Sequence, residues 1–164
     1  MLRKNLIIIS AIILCAISIL WLMGIRLHKM ASNSSMFPTL QEGDYFLVKL
    51  NPDDSALRRG DIVLLRNHID FIELPILTKR ILGLPNETIR ISNDSVFVDE
   101  VFLSESYAYF ELGYNAYLRV KKVKIPNGHY FVVGDNRDTS IDSRDVRVGT
   151  INGMDITGKV IWIF

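Results

Sequence analysis

Two side chains in this sequence could make a nucleophile and its base. Ser35 lies in "SNSSMFPTL", Ser32 to Leu40, and Lys79 lies in "LTKRILGLP", Leu77 to Pro85. A serine hydroxyl attacks a carbonyl only when a base takes its proton. Histidine is the usual base, but His28, His68 and His129 stand in no recognisable triad motif. They also lack H-x-x-E-H or H-E-x-x-H spacing, so no metal site is expected. Lysine can replace histidine if its pKa falls far enough. From about 10.4, it is neutral at pH 7 about one time in 2,500, a cost of roughly 4.6 kcal/mol. Apolar burial can lower a lysine by up to roughly 3–5 pH units, and the run "FIELPIL" ahead of Lys79 could supply it. In an extended chain Lys79 and Arg80 point to opposite faces. The lysine can then face inward while the arginine stays solvated or pairs elsewhere.

A third stretch, "GDNRDTSIDSR" from Gly134 to Arg144, follows the apolar run "HYFVV". If extended, it puts Ser140, Asp142 and Arg144 on one face. Ser140 could hydrogen-bond a neutral lysine amine and orient it. Asp142 and Arg144 could pair and fix the local backbone, supporting the reacting groups from behind. Each stretch also has a plainer reading when taken alone: a linker serine, a solvated strand-end lysine, a charged surface loop. The sequons at Asn33, Asn86 and Asn93 matter only in a eukaryotic secretory route.

The elements that must position these residues divide in two. Leu6 to Ile25 carries no charge, and about 20 apolar residues span the hydrocarbon core of a bilayer. A cleaved signal peptide has a shorter apolar region closed by a small-residue site, so an uncleaved anchor is expected. Residues 1–5 would be a short cytoplasmic tail, 6–25 the transmembrane anchor, and 26–164 one extracytoplasmic domain. Arg3 and Lys4 before the span and Arg26 and Lys29 after it nearly balance, so charge favours an inside N-terminus only slightly. Beyond the anchor the pattern is β. "DYFLVKL", "DIVLLR", "ELPILTKRI", "HYFVV" and "GKVIWIF" read as strands between turn signals. "TIRISNDSVFVDEVFL" reads as a hairpin turning at Asn93-Asp94. "YAYFELGYNAYLRVKK", Tyr107 to Lys122, has no clear assignment. The expected fold is mainly β: one N-terminal transmembrane helix, then an antiparallel β-sheet-rich domain, a sandwich or irregular barrel.

Composition removes several function classes. A net charge of +1 gives no reason to expect a nucleic-acid partner. The single cysteine, Cys15, lies inside the apolar span, so the domain holds no disulfide and no cysteine metal site.

Taken together and in order, the stretches resemble bacterial type I signal peptidases, membrane-bound Ser/Lys endopeptidases. That family shows S-M-x-P-T-L, then R-G-D-I-V, then K-R with a G-x-P turn, then G-D-N-R-x-x-S-x-D-S-R. Here these read "SMFPTL" (Ser35–Leu40), "RGDIV" (Arg59–Val63), "KRILGLP" (Lys79–Pro85) and "GDNRDTSIDSR". The resemblance implies Ser35 as nucleophile, Lys79 as general base, Ser140 as the serine orienting it, and Asp142 and Arg144 as the supporting pair. It implies the Ser35 N–H as one oxyanion donor, with Asn33 at the position where members often carry serine or glycine. Met36 and Leu40 would line the pocket for a substrate alanine. The substrate would lie extended beside Ala31 and Ser32 and beside Leu77 and Thr78. Two stretches depart from the family. The turn after Lys79 commonly reads G-x-P-G-D and here reads "GLPNE". After "DSR" the family often has two aromatics and a glycine, and here stands "DVRVG". The length is close to that of compact members without an insertion domain.

The implied activity is removal of signal peptides from exported preproteins at A-x-A sites, with no cofactor. The implied place is the cytoplasmic membrane: a single pass, the N-terminus inside, the domain outside, a monomer in contact with the lipid bilayer. Ser35 sits ten residues past Ile25, within about 33–36 Å even fully extended, so the anchor would hold it near the membrane surface. "HIDFIELPIL" and "VIWIF" are candidates to touch lipid, or else buried strands. Two other readings stay open: a dedicated pilin- or conjugation-type processing peptidase, and an inactive anchored domain that binds exported segments. A soluble self-cleaving repressor fails on the anchor and lacks a DNA-binding half.

Overall fold

The computed structural model describes residues 2–30, 34–68, 72–92, 95–110 and 120–164. Helix α1 runs from Leu2 to Leu22. Residues Arg3–Leu22 have a mean hydropathy of 2.6 and bury none of their surface inside the protein. The helix is apolar on every side, which suits lipid rather than a protein core. It ends earlier than the apolar run does. Gly24 takes a left-handed φ of 72°, the conformation with which glycine closes helices. Ile25 then opens a strand. Arg26 donates from Nη1 to the Trp21 carbonyl at 2.8 Å, and the Lys49 ammonium donates to the Met23 carbonyl. Two cations at the carboxyl end of the helix also oppose its dipole.

Beyond the helix the described residues are mainly β, as the sequence pattern predicts. Strands β1 (Ile25–Lys29), β2 (Tyr45–Leu50), β3 (Ile62–Arg66), β4 (Ile76–Gly83) and β5 (Thr88–Ser92) come first. Then come β6 (Ser95–Val98), β7 (Val101–Leu103), β8 (Val120–Lys124), β9 (His129–Val133), β10 (Ile151–Asn152) and β11 (Ile156–Ile163). They form a sheet of order β1-β2-β11-β3-β4-β9-β10 and a second of order β7-β6-β5-β8. Strand β1 is not among the expected ones, because Ile25 reads as the end of the apolar run. It pairs with β2 from Ile25↔Lys49 to Lys29↔Tyr45. The expected hairpin forms, with Ser92 opposite Ser95, and its turn residues Asn93 and Asp94 lie outside the described residues. Strand β8 falls in the segment the sequence left unassigned.

Packing places the catalytic candidates between apolar clusters. Leu82, Ile89, Ile91, Val96, Phe131 and Val133 join the two sheets. Leu65, Leu77, Ile81, Val132 and Ile156 fill one face of the large sheet. Met30, Met36, Leu40, Phe46, Val48 and Leu64 fill another. The "GLPNE" turn shows how its departure is accommodated. Asn86 holds φ 69°, a left-handed conformation that asparagine tolerates better than other residues with a Cβ. The Glu87 carboxylate accepts the Leu84 N–H at 2.7 Å and pairs with Arg59 at 2.6 Å. Asn86→Gly is expected to leave stability within about 0.5 kcal/mol, and Asn86→Ala to cost about 1 kcal/mol. Chemical denaturation of the two variants checks the pair.

Candidate active site

Lys79 sits on β4, which is hydrogen-bonded to β3 along its first half and to β9 beyond it. Alternation along β4 turns Leu77, Lys79 and Ile81 toward one face and Thr78 and Arg80 toward the other. Lys79 is 3% exposed. Its ammonium nitrogen lies 3.0 Å from Ser140 Oγ. Burial lowers its pKa, Asp142 pulls it back up, Arg144 pushes it down, and it settles at about 8. The structure thus buries Lys79 and lowers its pKa, as the apolar run ahead of it led the sequence reading to expect.

The turn Ser35–Thr39 brings the nucleophile candidate to the same place. Phe37 N–H donates to the Ser34 carbonyl and Leu40 N–H to the Met36 carbonyl. Ser35 is buried, and its carbonyl accepts the Asn136 N–H at 3.0 Å. A cleft of about 560 Å3 has both Ser35 and Lys79 in its wall. Leu40, Ile72, Leu74 and Leu77 supply an apolar lining, and Thr139 and Ile141 close it from the loop after β9. Leu40 and Leu77, which the resemblance sets beside the substrate, both line this cleft. Met36 does not line this cleft. It is fully buried in the cluster beneath. Thr78 is also buried, on the opposite face of β4. Ala31, Ser32 and Asn33 lie outside the described residues.

The loop Gly134–Arg144 is a series of turns rather than an extended strand, yet it makes the expected contacts. Arg144 grips Asp142 with two parallel bonds, Nε to Oδ1 at 2.7 Å and Nη2 to Oδ2 at 2.8 Å. Arg144 also donates to the carbonyls of Arg137 and Ser140. Burial would raise the Asp142 pKa, but Arg144, the Ser140 hydroxyl and the Gly134 N–H outweigh it and hold the pKa low. Asp142 is therefore a buried anion that fixes Ser140 and Gly134. Ser143 stitches the loop to β9: its N–H donates to the Val132 carbonyl, and its Oγ accepts the Val132 N–H.

Sequence reasoning missed three supports. Arg80 forms a bidentate pair with the fully buried Asp135, at 2.7 and 2.6 Å. Thr39 Oγ1 donates to the same carboxylate, so one anion ties the serine turn, β4 and the loop together. Arg137 pairs with Glu105 through two bonds and donates from Nε to the Gly134 carbonyl. Gly134 is the third. A Cβ there would lie 2.4 Å from the Ser35 carbonyl oxygen and 2.3 Å from Ser140 Oγ. The motif G-D-N-R contains all three residues, but nothing in their spacing names Arg80 or Glu105 as partners.

A family model described as "Signal peptidase, peptidase S26" matches residues 3–164. The chain belongs to this signal peptidase family. It is 34% identical over 142 residues to signal peptidase I T of Bacillus subtilis, covering 82% of this chain and 72% of that one. Identity to signal peptidase I of Bacillus amyloliquefaciens is 32%, with the same two coverages. The crystal structure of a signal peptidase I from Enterococcus faecalis superposes with a TM-score of 0.54 at 28% identity, over 64% of this chain and 97% of that one. The mainly β fold after one apolar helix is thus the signal peptidase fold, and the chain is a member of a peptidase family. Among the described residues no group of histidine, cysteine and acidic side chains could hold a metal.

Proposed function

We propose that this signal peptidase family member removes signal peptides from exported preproteins at the outer surface of the cytoplasmic membrane, with Ser35 as nucleophile and Lys79 as base. One observation carries the reading: a buried lysine with pKa about 8, bonded to Ser140, shares a cleft with Ser35. Ser35 Oγ attacks the scissile carbonyl while Lys79 takes its proton. The Ser35 N–H stabilises the oxyanion, and Asn33 is the assigned second donor. The C–N bond breaks, and Lys79 returns the proton to the amine of the departing mature chain. Water then attacks the acyl-enzyme, again giving its proton to Lys79, and Ser35 leaves reprotonated.

The edge of β4 suits an extended substrate. Ile81 directs its N–H to Asp61 and its carbonyl to Gly60, on the β3 side. By alternation Ile76 and Thr78 direct theirs to the other side. There β9 pairs only with Arg80, Ile81 and Gly83. A peptide can add a strand at Ile76–Lys79 and place small side chains in the apolar cleft. Thr78 would then contribute through its backbone. The membrane reading is supported by exposed apolar residues beside the end of α1. Leu27 and Trp162 both neighbour Leu47 across the sheet, and both are about 60% exposed.

The test is cleavage of an A-x-A preprotein by the full chain in detergent. Cutting after the site, lost in Ser35→Ala, is the expected result. The wild-type kcat/KM should rise about tenfold per pH unit below pH 8 and level off above it, because only neutral Lys79 can accept the proton. A folded wild type that cuts nothing overturns the reading, and a flat profile from pH 6 to 9 removes Lys79 from the role of base.

A further inference from the structure

We propose that Phe37, braced by the ring of Tyr109, is the wall that limits the size of the substrate side chain just before the scissile bond. The inference rests on the peptidase reading above. Phe37 fills the open third position of S-M-x-P-T-L, so its size is a property of this chain and not of the pattern. Among the described residues it is the only aromatic one in the wall of the cleft that holds Ser35 and Lys79. Met36, which the resemblance sets at that pocket, is in the core instead.

The backbone fixes where the ring starts. Phe37 N–H donates to the Ser34 carbonyl at 3.1 Å. Phe37 stands two residues past Ser35, so within about 7 Å of it along the chain. Ser35 attacks the carbonyl of the residue before the scissile bond, and the side chain of that residue enters the cleft nearest to Ser35. The next side chain on the same face of an extended substrate belongs to the third residue before the cut, about 7 Å further on. The ring of Phe37 is therefore set against the first of these two.

A wall selects by size only if it does not swing aside. A phenylalanine at the rim of an open cleft can exchange rotamers to admit a larger group. Here the Tyr109 ring packs on Phe37 with centroids 4.8 Å apart and planes inclined at 78°, an edge-to-face arrangement that aromatic pairs favour. Tyr109 is itself held on the loop after β9. Its N–H donates to the Asp135 carbonyl at 2.8 Å, and its carbonyl accepts the Arg137 N–H at 2.9 Å. The same segment is pinned twice more. Glu105 forms its buried pair with Arg137, and the Tyr107 ring centroid lies 4.1 Å from the guanidinium carbon of Arg80. Residues 105–109 thus form a strap from the end of β7 to the loop that carries Ser140, and Tyr109 passes its rigidity to the cleft.

The experiment uses full-length protein in detergent and peptides spanning an A-x-A site, with Ala or Leu at the first or the third position before the cut. The readout is the ratio of kcat/KM for the Ala peptide to that for the Leu peptide, which is internal to each variant. At the first position the ratio should fall about tenfold in Phe37→Ala, within the range that a few methylene groups produce in an apolar pocket. In Tyr109→Ala it should fall about threefold, the size of an aromatic pair, and Tyr109→Phe, which keeps the ring, should retain the wild-type ratio. Phe37→Leu guards against misfolding of Phe37→Ala and should show the same shift at smaller size. An unchanged first-position ratio in the Phe37 variants, or a shift confined to the third position, overturns the inference and leaves the peptidase reading standing. A shift in Phe37→Ala that Tyr109→Ala does not share overturns the bracing. Failure of the wild type to cut any peptide overturns the peptidase reading instead. The Kd values of Ala and Leu peptides for Ser35→Ala, with and without Phe37→Ala, then decide the wall: a narrowed difference supports it, and an equal one overturns it.

Discussion

Lys79→Met is expected to lose at least about a thousandfold in kcat/KM and to gain about 2 kcal/mol of stability at pH 6. The first effect follows from removing the proton acceptor. The second follows from the cost of burying a cation. The lysine pKa falls from 10.5 when unfolded to about 8 when folded, which corresponds to roughly 3 kcal/mol. Below pH 8 both states carry the charge, and the folded state bears the full penalty. Between pH 8 and 10.5 only the unfolded state holds the proton, so wild-type stability rises with pH. Above 10.5 the penalty is gone. Methionine removes the penalty at every pH but leaves Ser140 Oγ without the Lys79 donor, a loss of about 1 kcal/mol. Urea unfolding of both proteins at pH 6 and pH 10 checks the sign. The stability gap between variant and wild type should shrink as pH rises. A variant less stable than wild type at pH 6 would mean that Lys79 is held as a charged partner of Asp142, and the assigned base would be wrong. Methionine matches lysine in length, so a fold-level loss of activity is not expected.

The site was legible in the sequence where function sits within short stretches. Lys79 and Arg80 separated to opposite faces as strand alternation requires, and Asp142 paired with Arg144 two residues away. The pairing held although the loop is turned rather than extended, because a guanidinium reaches a carboxylate at that spacing in either geometry. What stayed hidden depends on distant partners. Asp135 needs Arg80 and Thr39, and Arg137 needs Glu105, and neither pairing leaves a spacing to read. Met36 was placed at the substrate pocket by resemblance, but the turn at Ser35–Thr39 sends it into the core instead. A turn has no fixed side-chain period, so adjacent residues such as Met36 and Phe37 can separate in burial. Strand β1 was hidden for another reason. Apolar residues continue past the end of α1, and only the left-handed Gly24 marks where lipid-facing helix gives way to sheet. In the rest of the fold, alternation and turn residues located the strands that carry Lys79, Arg80 and the approach to Gly134.

Gly134→Ala carries one methyl group into the tightest point of the site. Its Cβ would stand 2.3 Å from Ser140 Oγ, 2.5 Å from Ser140 Cβ and 2.4 Å from the Ser35 carbonyl oxygen. None of these is the free end of a long side chain. Ser140 is held through the Arg144–Asp142 pair, and the Ser35 carbonyl is held by the Asn136 N–H. Relief requires moving the nucleophile's backbone or the serine that orients the base by about 1 Å, and displacements of that size cost on the order of a hundredfold in rate. The expected result is a kcat about a hundredfold lower with KM changed less, because the apolar cleft wall from Leu40 to Leu77 is untouched. Gly128→Ala is the control. It places the same methyl at a left-handed φ of 71° with no atom within 4 Å, so it should cost about 1 kcal/mol of stability and leave kcat unchanged. Adding Ser140→Ala to Gly134→Ala removes the Oγ contact but not those with Ser140 Cβ and the Ser35 carbonyl. The combined loss should therefore be smaller than the product of the single losses, the mark of two changes acting on one contact. Multiplicative losses would place the effect of Gly134 elsewhere, in its N–H bond to Asp142. A Gly134→Ala enzyme with near-wild-type kcat would show that the serine turn and the loop move apart without consequence for the reaction.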